Sequence, residues 1–524
     1  MLRTFVRYCN SRWIFSLCRK LTGAWRVLGP ARGRRGAVQP DENAAAPDIA
    51  GQFAAQVSWQ PTSSSSKIAV RRIALFIGPI LALVLGLGLA NLGQPADVCW
   101  TAAVTLLCAI WWISEAIPIP VTGLLPLAIF PLVGVLTPNQ VGQAYGSPLI
   151  LLYLGGFMLS MAMEKSGAHR RLALGMVNFF GGGGRAVVFG FMAAAASLSM
   201  WISNTATSLM LLPIALATLE NAQDKRLKTA LLLGVAYACN VGGIGTPVGT
   251  PPNLIFMQVY QDTTGNALSF LDWMQWGLPV VILFVPLIGL WLTRNLGAGE
   301  RLDLPEVGEW RVEEQRTLII FALTAVAWIT RNDPFGGWSG WLNLPQANDA
   351  SVALLAVAAL FLTPNGKGEQ LLDWDTAVRI PWGILILFSG GICIASAFVS
   401  SGISQIIGEA LAALSGTPTI LLLAAICLSV TFLTEITSNT ATTALLMPVL
   451  AAAALGASVD PRLLMVPAAM SASCAFMLPV ATGPNAVIFA SGHVSIKQMV
   501  KEGLALNFIG AAVITAICYV ALSS

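Results

Sequence analysis

Long apolar segments without charge alternate with short polar connections along most of the chain. From Ile73 onward these segments are mostly about 20 residues long, the length that an α-helix needs to cross a hydrocarbon core of about 30 Å. The pattern therefore predicts an all-α, polytopic membrane protein. The segments span residues 73–92, 98–115, 118–136, 147–165, 186–220, 229–260, 274–293, 316–331, 350–363, 380–400, 418–455, 463–492 and 504–522.

The positions of Lys and Arg predict which side of the membrane each connection occupies. Apart from Arg331 and Arg462, every basic residue lies before Ile73 or in five connections between the apolar segments. The positive-inside rule places these parts of the chain in the cytoplasm. The five connections span residues 165–185, 225–228, 294–316, 367–379 and 497–501.

Two segments are predicted to begin and end on the same side of the membrane. Basic connections precede and follow 186–220, so this segment should enter from the cytoplasm and return there as a helical hairpin. By the same parity, 418–455 is a hairpin that enters from outside. The prediction is about 11 transmembrane helices and two re-entrant hairpins, with the N-terminus in the cytoplasm and the C-terminus outside.

Composition and charge exclude several classes of protein. The 524 residues are 56% apolar and 10% charged, with a mean hydropathy of +0.73, whereas soluble proteins carry about 25% charged residues. The net charge of +4 is too small to indicate a nucleic-acid partner. The nine cysteines form no CxxC pair, and His169 and His493 lie in polar connections. We therefore expect lipid as the surroundings and no enzyme activity.

Residues 1–67 are predicted to form a basic, flexible cytoplasmic extension. Residues 1–40 hold nine Arg and Lys and no acid, and 41–66 are rich in Ala, Pro and Ser. Three interpretations stay open: an organellar transit peptide, a basic segment on an anionic leaflet, or an extension without a role in the membrane body. The first would place the protein in an organelle membrane. Otherwise we expect the cell (inner) membrane.

Polar landmarks recur at a nearly constant separation in the two halves of the chain. Ser203-Asn204-Thr205 and Ser438-Asn439-Thr440 differ by 235 in residue number, and Pro252-Asn253 and Pro484-Asn485 differ by 232. Collinear polar matches of this kind indicate an internal repeat. Further pairs at a separation of 235 are Gly155-Gly156 with Gly390-Gly391, Gly167 with Gly402, and Pro213 with Pro448.

The two copies are predicted to have inverted topology, because an odd number of spans separates corresponding segments. Inverted repeats with interrupted helices are typical of secondary transporters, whose site lies near the membrane midplane. The predicted organisation is a first membrane segment at 68–293, a cytoplasmic linker at 294–315 and a second repeat at 316–524.

Each Ser-Asn-Thr triplet lies near the middle of its hairpin and therefore deep in the membrane. Asn is costly in hydrocarbon, so the tips should face a cavity. Ser and Asn favour helix N-termini, so each tip should begin the returning arm of its hairpin. Two helix N-termini directed at one place favour an anion. The alternative is that these residues only cap and join helices.

Proline-rich motifs interrupt the predicted spans 229–260 and 463–492. The motif at 242–253 reads GGIGTPVGTPPN, and the motif at 478–485 reads LPVATGPN. Proline lacks the amide N–H that continues a helix, so each interruption should expose carbonyl oxygens suited to a small cation such as Na⁺. A kinked helix without a ligand is the alternative. Glu435 is either a proton or cation partner or a cap at the rim of its hairpin.

The paired tips and interrupted motifs resemble the divalent anion/sodium symporter family of di- and tricarboxylate transporters, over residues 70–524. The resemblance implies sodium-coupled symport of succinate, malate, fumarate or citrate into the cytoplasm, by an elevator mechanism in a homodimer. A sodium-independent dicarboxylate exchanger and a sodium/sulfate symporter are the alternatives. Such exchangers have basic residues where sodium would bind, and we find none at the matching positions.

The resemblance also assigns site residues, position by position. Gly483 departs from the family pattern, which usually has proline there. One sodium site would use Ser199, Ser203, Asn204 and Gly249, and the other Thr434, Thr437, Asn439 and Ala481. The substrate would contact Asn204, Thr205, Thr250, Asn439, Thr440 and Thr482.

Overall fold

The computed structural model describes residues 65–522 apart from 221, 223, 298–301, 303, 305–306, 334, 412–417 and 458. Almost all of the extension predicted at 1–67, with its three interpretations, lies outside these residues. Most of the described residues form α-helices, so the predicted all-α fold class is confirmed.

The first group of helices, α1 to α11, precedes residue 294. These helices are α1 (Ser65–Asn91), α2 (Ala96–Ser114), α3 (Ile119–Val133), α4 (Pro138–Tyr145), α5 (Pro148–Ser166), α6 (Ala168–Phe180), α7 (Gly184–Ser199), α8 (Asn204–Thr218), α9 (Lys225–Gly242), α10 (Pro251–Thr264) and α11 (Phe270–Thr293).

The second group, α12 to α22, completes the membrane body. These helices are α12 (Val312–Ile329), α13 (Gly337–Trp341), α14 (Asp349–Leu362), α15 (Trp374–Ala377), α16 (Trp382–Ser401), α17 (Ile403–Leu411), α18 (Thr419–Thr434), α19 (Asn439–Gly456), α20 (Pro461–Ala472), α21 (Gly483–Ala490) and α22 (Ile496–Leu522).

Every segment predicted from hydropathy is helical. Each predicted hairpin and each predicted interrupted span consists of two helices, namely α7 and α8, α9 and α10, α18 and α19, and α20 and α21. Within the described residues, 8 helical runs are long and apolar enough to cross a membrane, by length and composition. Several shorter apolar helices, including three hairpin arms, accompany them. A multi-pass membrane protein is thus confirmed, whereas 11 spans, two hairpins and inverted repeats stay predictions.

Five helices fall in stretches that the sequence analysis treated as connections, namely α4, α6, α13, α15 and α17, and the longest of them are α6 and α17. Helix α6 lies within 165–185, and α17 lies between the predicted spans 380–400 and 418–455. In α6, Leu174 and Val177 are buried, whereas Arg170 is exposed. This helix is amphipathic. Its basic residues gave the stretch the composition of a polar connection, and so it was missed.

The order of helices repeats with the sequence landmarks. Helices α7 and α18 begin at Gly184 and Thr419, and α8 and α19 begin at Asn204 and Asn439, so both pairs keep the separation of 235. Helices α5 and α16 are each followed directly by a glycine, Gly167 and Gly402, whose φ angles of 76° and 82° are left-handed. Glycine adopts this conformation without steric penalty, which explains why both copies hold it.

Helices of the two halves pack against each other in reciprocal pairs. Helix α3 packs on α16 while α5 packs on α14, and α8 packs on α21 while α10 packs on α19. Small residues allow the close approach, because a Cβ atom added to Gly390 would overlap the Gly123 carbonyl oxygen. Reciprocal packing is what two repeats related by a pseudo-twofold axis produce, so it supports the predicted repeat.

Ion pairs anchor the connection around α6 to the second half. The Arg171 guanidinium lies 2.6 Å from the Glu314 carboxylate, and both side chains are buried. Arg171 also donates to the Gly308 carbonyl oxygen at 3.0 Å. Nearby, the Lys165 ammonium donates to Asp373 and lowers the pKa of that carboxyl to about 2. The Arg171 contacts hold the segment before α12 against α6, and the Lys165 contact joins the end of α5 to the start of α15.

Candidate functional site

Both hairpin tips begin a helix where the sequence predicted one. Asn204 and Asn439 are the first residues of α8 and α19, after Ser203 and Ser438. Neither serine side chain makes the capping hydrogen bond that the sequence led us to expect. The interpretation of the triplets as simple caps is therefore weakened, because these hydroxyls do not satisfy the N–H groups of the first turn.

The first interruption joins α9 to α10. Its centre is a short 3₁₀ turn at Gly243–Gly245. The Asn253 amide Nδ2 donates to the carbonyl oxygens of Gly243 at 2.9 Å and Thr246 at 2.7 Å. The Trp273 indole N–H donates to the Ile244 carbonyl oxygen at 2.7 Å. These donors hold the broken helix open at this point.

The second interruption joins α20 to α21 and repeats this arrangement. The Asn485 amide Nδ2 donates to the carbonyl oxygens of Ala475 at 3.0 Å and Leu478 at 3.1 Å. The acceptors lie ten and seven residues before the asparagine, as they do for Asn253. We predicted that both interruptions expose carbonyl oxygens, and these four accept hydrogen bonds from the asparagine side chains. Three of them accept a second hydrogen bond: Thr246 from the Gly249 N–H at 3.3 Å, Leu478 from the Ala481 N–H at 3.3 Å, and Ala475 from Asn240 Nδ2 at 3.4 Å.

Oxygen atoms of the first predicted sodium site lie together. The Ser199 hydroxyl oxygen lies 2.6 Å from Asn204 Oδ1 and 2.7 Å from the Cys239 carbonyl oxygen, and its single hydrogen can be donated to one of them at a time. A Cβ atom added to Gly249 would lie 2.5 Å from the Gly243 carbonyl oxygen. The structure thus brings Ser199 to Asn204 and places Gly249 among carbonyls, and Ser203 is half-buried nearby in sequence. Such hard oxygen ligands suit a small cation.

Residues of the second predicted sodium site use separate partners. The Thr434 hydroxyl donates to the Ala472 carbonyl oxygen at 2.9 Å, and the Thr437 hydroxyl donates to that of Leu433 at 2.8 Å. These residues are buried, as is Ala481. Their hydrogen bonds therefore do not join them into one cluster as in the first site.

Asn439 of this second site bonds within its own tip. Its Oδ1 accepts from the Thr440 backbone N–H at 2.8 Å and from the Thr440 hydroxyl at 3.2 Å. Asn204, at the matching position, instead accepts from Ser199. The two pseudo-symmetric tips therefore present different free groups.

Two predicted substrate residues meet the interruptions. A Cβ atom added to Gly243 would lie 2.7 Å from Asn204 Oδ1 and 3.1 Å from Thr250 Cβ, so Asn204 and Thr250 both pack against that glycine where a side chain would be. A Cβ atom added to Gly483 would overlap the Thr205 hydroxyl and lie 3.0 Å from Thr205 Cβ. The departure from the family proline thus makes room for Thr205 beside Thr482.

Glu435 has a role that the sequence did not indicate. Its carboxylate is buried and accepts from the backbone N–H groups of Phe476 at 2.7 Å, Met477 at 2.9 Å and Leu478 at 3.0 Å. The Asn507 amide donates to it at 2.9 Å. Among the described residues, its hydrogen bonds therefore lead away from its own hairpin, and no ion pair with a base is present. The carboxylate fixes the backbone of the second interruption, which lies beyond α19 and α20 in sequence.

Residues of α9 also reach the second interruption, and sequence reasoning missed them. The Tyr237 hydroxyl donates to the Phe476 carbonyl oxygen at 2.7 Å. The Asn240 amide lies 3.0 Å from the Thr482 hydroxyl oxygen. A polar asparagine within an apolar helix was the available signal, because such residues are costly in the membrane.

Aromatic rings surround the first hairpin tip. The Trp201 ring is nearly parallel to those of Phe270 and Trp328, at centroid distances of 6.0 Å and 6.4 Å. Phe321 meets it edge-on at 5.4 Å. The Ser160 hydroxyl donates to the Trp201 carbonyl oxygen at 2.9 Å. The tip therefore packs on α5, α11 and α12.

The paired broken helices, their duplicated order and their buried oxygen ligands define a multi-pass membrane transporter. The sequence model of CitMHS, described as a citrate transporter family, matches residues 109–465. The chain is 39% identical over 472 residues to the sodium-dependent dicarboxylate transporter SdcS of Staphylococcus aureus, covering 85% of this chain and 90% of that protein. The protein belongs to the divalent anion/sodium symporter family of di- and tricarboxylate transporters.

Other comparisons agree with this assignment. SdcS of Staphylococcus saprophyticus is 38% identical over 476 residues, with the same coverage of 85% and 90%. The crystal structure of the YdaH transporter of Alcanivorax borkumensis matches with a TM-score of 0.53 at 14% identity, over 76% of this chain and 88% of that one. At that identity the likeness shows the fold alone. These relatives are transporters and not enzymes.

Proposed function

We propose that this protein is a secondary active transporter that couples sodium entry to uptake of dicarboxylate dianions such as succinate, malate and fumarate, with citrate as a further substrate. The observation that carries the proposal is the first interruption. Next to it, at the first hairpin tip, the Ser199 hydroxyl oxygen lies within hydrogen-bond distance of both Asn204 Oδ1 and the Cys239 carbonyl oxygen. The hydroxyl of Thr250 and Oδ1 of Asn253 are buried without a partner among the described residues. A cation or a bound substrate would satisfy them.

Sodium is the cation that these ligands favour in our proposal. One ion would be held by Ser199, Ser203, Asn204 and Gly249, and another by Thr434, Thr437, Asn439 and Ala481. The donor set consists of neutral hydroxyl, amide and carbonyl oxygens, which bind hard cations. The SdcS relatives carry the name of sodium-dependent dicarboxylate transporters, which supports the same ion and substrate class.

The charge of the proposed substrate supports coupling of its uptake to sodium entry. Away from their ends, the predicted spans contain no Lys, Arg or His that would neutralise a dianion. Each helix N-terminus contributes only about half a charge, so bound sodium ions supply the remainder. We therefore propose at least two sodium ions for each dianion. Net movement of positive charge inward, which we also propose, requires at least three, because two sodium ions only balance the two negative charges of the dianion. The family resemblance also supports an elevator mechanism in a homodimer, and the distribution of Lys and Arg supports a cytoplasmic N-terminus.

Uptake into proteoliposomes tests the proposal. Labelled succinate should accumulate under an inward sodium gradient, with a rate that rises more than linearly with sodium, and an inside-negative potential should accelerate it. A potassium gradient should give no accumulation. Equal uptake without sodium, driven by succinate loaded inside, would promote the exchanger, and uptake of sulfate in place of succinate would promote the sulfate symporter.

The two tip asparagines should link substrate and sodium affinity. Asn204→Ala and Asn439→Ala each remove an oxygen shared by a sodium ion and the substrate in our assignment. Loss of a hydrogen bond to a charged group costs about 1.5–3 kcal/mol, so both apparent affinities should fall by about tenfold to a hundredfold. Asn266→Ala, at an exposed loop position, is the control. A variant with lost sodium dependence but normal succinate affinity would refute the shared ligand.

A further inference from the structure

The two interruptions differ at equivalent positions. Thr250 and Asn253 correspond to Thr482 and Asn485, at the same separation of 232 in residue number. In the first interruption the Thr250 hydroxyl and Asn253 Oδ1 are buried and have no partner among the described residues. In the second, both corresponding oxygens face one donor. The pseudo-symmetry is therefore broken at the polar groups nearest the proposed substrate.

That donor is the side-chain amide of Asn240, which is 1% exposed. Its Nδ2 lies 3.0 Å from Thr482 Oγ1, 3.2 Å from Asn485 Oδ1 and 3.4 Å from the Ala475 carbonyl oxygen. A carbonyl oxygen only accepts, so the group that faces it is the NH₂ of the amide. The counterpart of Asn240 in the second half is an alanine, Ala472 or Ala475, at either of the two separations that relate the repeats.

These contacts decide what the Thr482 hydroxyl can do. Thr482 Oγ1 accepts from Asn240 Nδ2 at 3.0 Å and from the Asn485 backbone N–H at 3.3 Å. A hydroxyl has two acceptor lone pairs and one hydrogen, so both lone pairs are used and only the hydrogen is free. The group must then donate, and a carboxylate is a pure acceptor.

We propose that Asn240 is a positioning residue that holds the Thr482 hydroxyl as a hydrogen-bond donor to a substrate carboxylate. This inference rests on the proposed function, since it needs Thr482 to face the dianion. It assigns an unequal role to the two threonines. Thr250, without a fixed partner among the described residues, can donate or accept, whereas Thr482 can only donate and so selects an acceptor such as a carboxylate oxygen over a group with donors only, such as an ammonium.

Succinate binding to the purified protein at saturating sodium tests the role of Asn240. Asn240→Ala frees a lone pair of Thr482 and should raise the Kd by about fivefold to tenfold, the usual effect of one hydrogen bond. Thr482→Ala should do the same. The double variant should be no weaker than either single one, because both remove one interaction. Asn240→Ala combined with Thr250→Ala, the matched control, should show multiplied effects.

Two further measurements separate positioning from loss of structure. Sodium binding in the absence of substrate, measured as a rise in melting temperature, should be the same in Asn240→Ala and in the wild type. Asn240→Asp has the same shape but accepts hydrogen bonds, so it should weaken succinate binding more than alanine does. Asn240→Asp also replaces Asn240→Ala as the test variant if the alanine variant does not fold.

The outcomes distinguish the two proposals. Wild-type protein that binds no dicarboxylate would refute the proposed function. Wild-type protein that binds succinate, with Asn240→Asp of equal affinity, would refute the role of Asn240 alone. That role would also be refuted if the effects of Asn240→Ala and Thr482→Ala multiply, or if Asn240→Ala weakens sodium binding as much as succinate binding.

Discussion

Gly483 shows how one side chain decides a contact between the two halves. Without a Cβ atom, residue 483 allows the Thr205 hydroxyl to lie directly against the start of α21. A proline here, as the family resemblance implies, would also remove a backbone N–H at the first position of the helix. Thr205 and Gly483 belong to opposite halves of the chain. Each was noted in the sequence, but their contact follows only from the fold.

Gly483→Ala should impair transport by displacing Thr205. The new Cβ would overlap the Thr205 hydroxyl, and overpacking of this kind costs about 1–3 kcal/mol. We expect the KM for succinate in proteoliposomes to rise by about fivefold or more. Adding Thr205→Ala to Gly483→Ala should raise the KM by a smaller factor than Thr205→Ala does in the wild type. Gly142→Ala, where nothing lies within 4 Å, should have a wild-type KM, and normal transport by Gly483→Ala would contradict the contact.

Helix α6 illustrates what hydropathy does not reveal about an element. Long apolar runs without charge located every helix long enough to cross a membrane, because such helices differ most in composition from the rest of the chain. An amphipathic helix of 13 residues with two arginines and a histidine has the composition of a polar connection. Its stability comes from partners distant in sequence, above all Glu314, which pairs with Arg171 from the start of α12.

Arg171→Ala should destabilise the protein more than loss of an exposed ion pair. The Arg171 and Glu314 side chains are 7% and 6% exposed, and removing one partner leaves a buried charge unpaired, at about 3–5 kcal/mol. The apparent melting temperature in detergent should fall clearly. Arg462→Ala breaks a pair whose side chains are 40% and 35% exposed and should cost less than about 1 kcal/mol. Equal shifts would show that the Arg171 pair does not anchor α6.

At the scale of the whole molecule, the sequence predicted the succession of helices and breaks but not how they meet. Pro and Asn at 252–253 and 484–485 located both interruptions, because proline ends a helical hydrogen-bond ladder wherever the chain places it. The carbonyl oxygens there were predicted to be exposed, and they accept hydrogen bonds from Asn253, Asn485 and Tyr237. The Tyr237 bond joins residues 239 apart in sequence, and such a long-range pairing leaves no periodic pattern.

Cysteine labelling tests the predicted topology. A cysteine introduced at 400–417 should react with an impermeant thiol reagent from outside, and one at 221–228 only from inside, since an odd number of predicted crossings separates them. The seven cysteines among the described residues are all buried, so they contribute little background. Cys9 and Cys18 lie outside those residues, so both should be replaced by serine in the protein used for labelling. Labelling of both positions from one side would overturn the assignment of hairpins.

The aromatic rings around Trp201 give the protein an optical signal of its own. Two indole rings, those of Trp201 and Trp328, lie 4° from parallel at 6.4 Å, close enough for their electronic transitions to couple. Such coupling produces circular dichroism in the near ultraviolet and alters the tryptophan emission. One ring belongs to the first hairpin tip and the other to α12. A displacement of that tip during transport would therefore be visible in unlabelled protein, in real time, as a change in light absorbed or emitted.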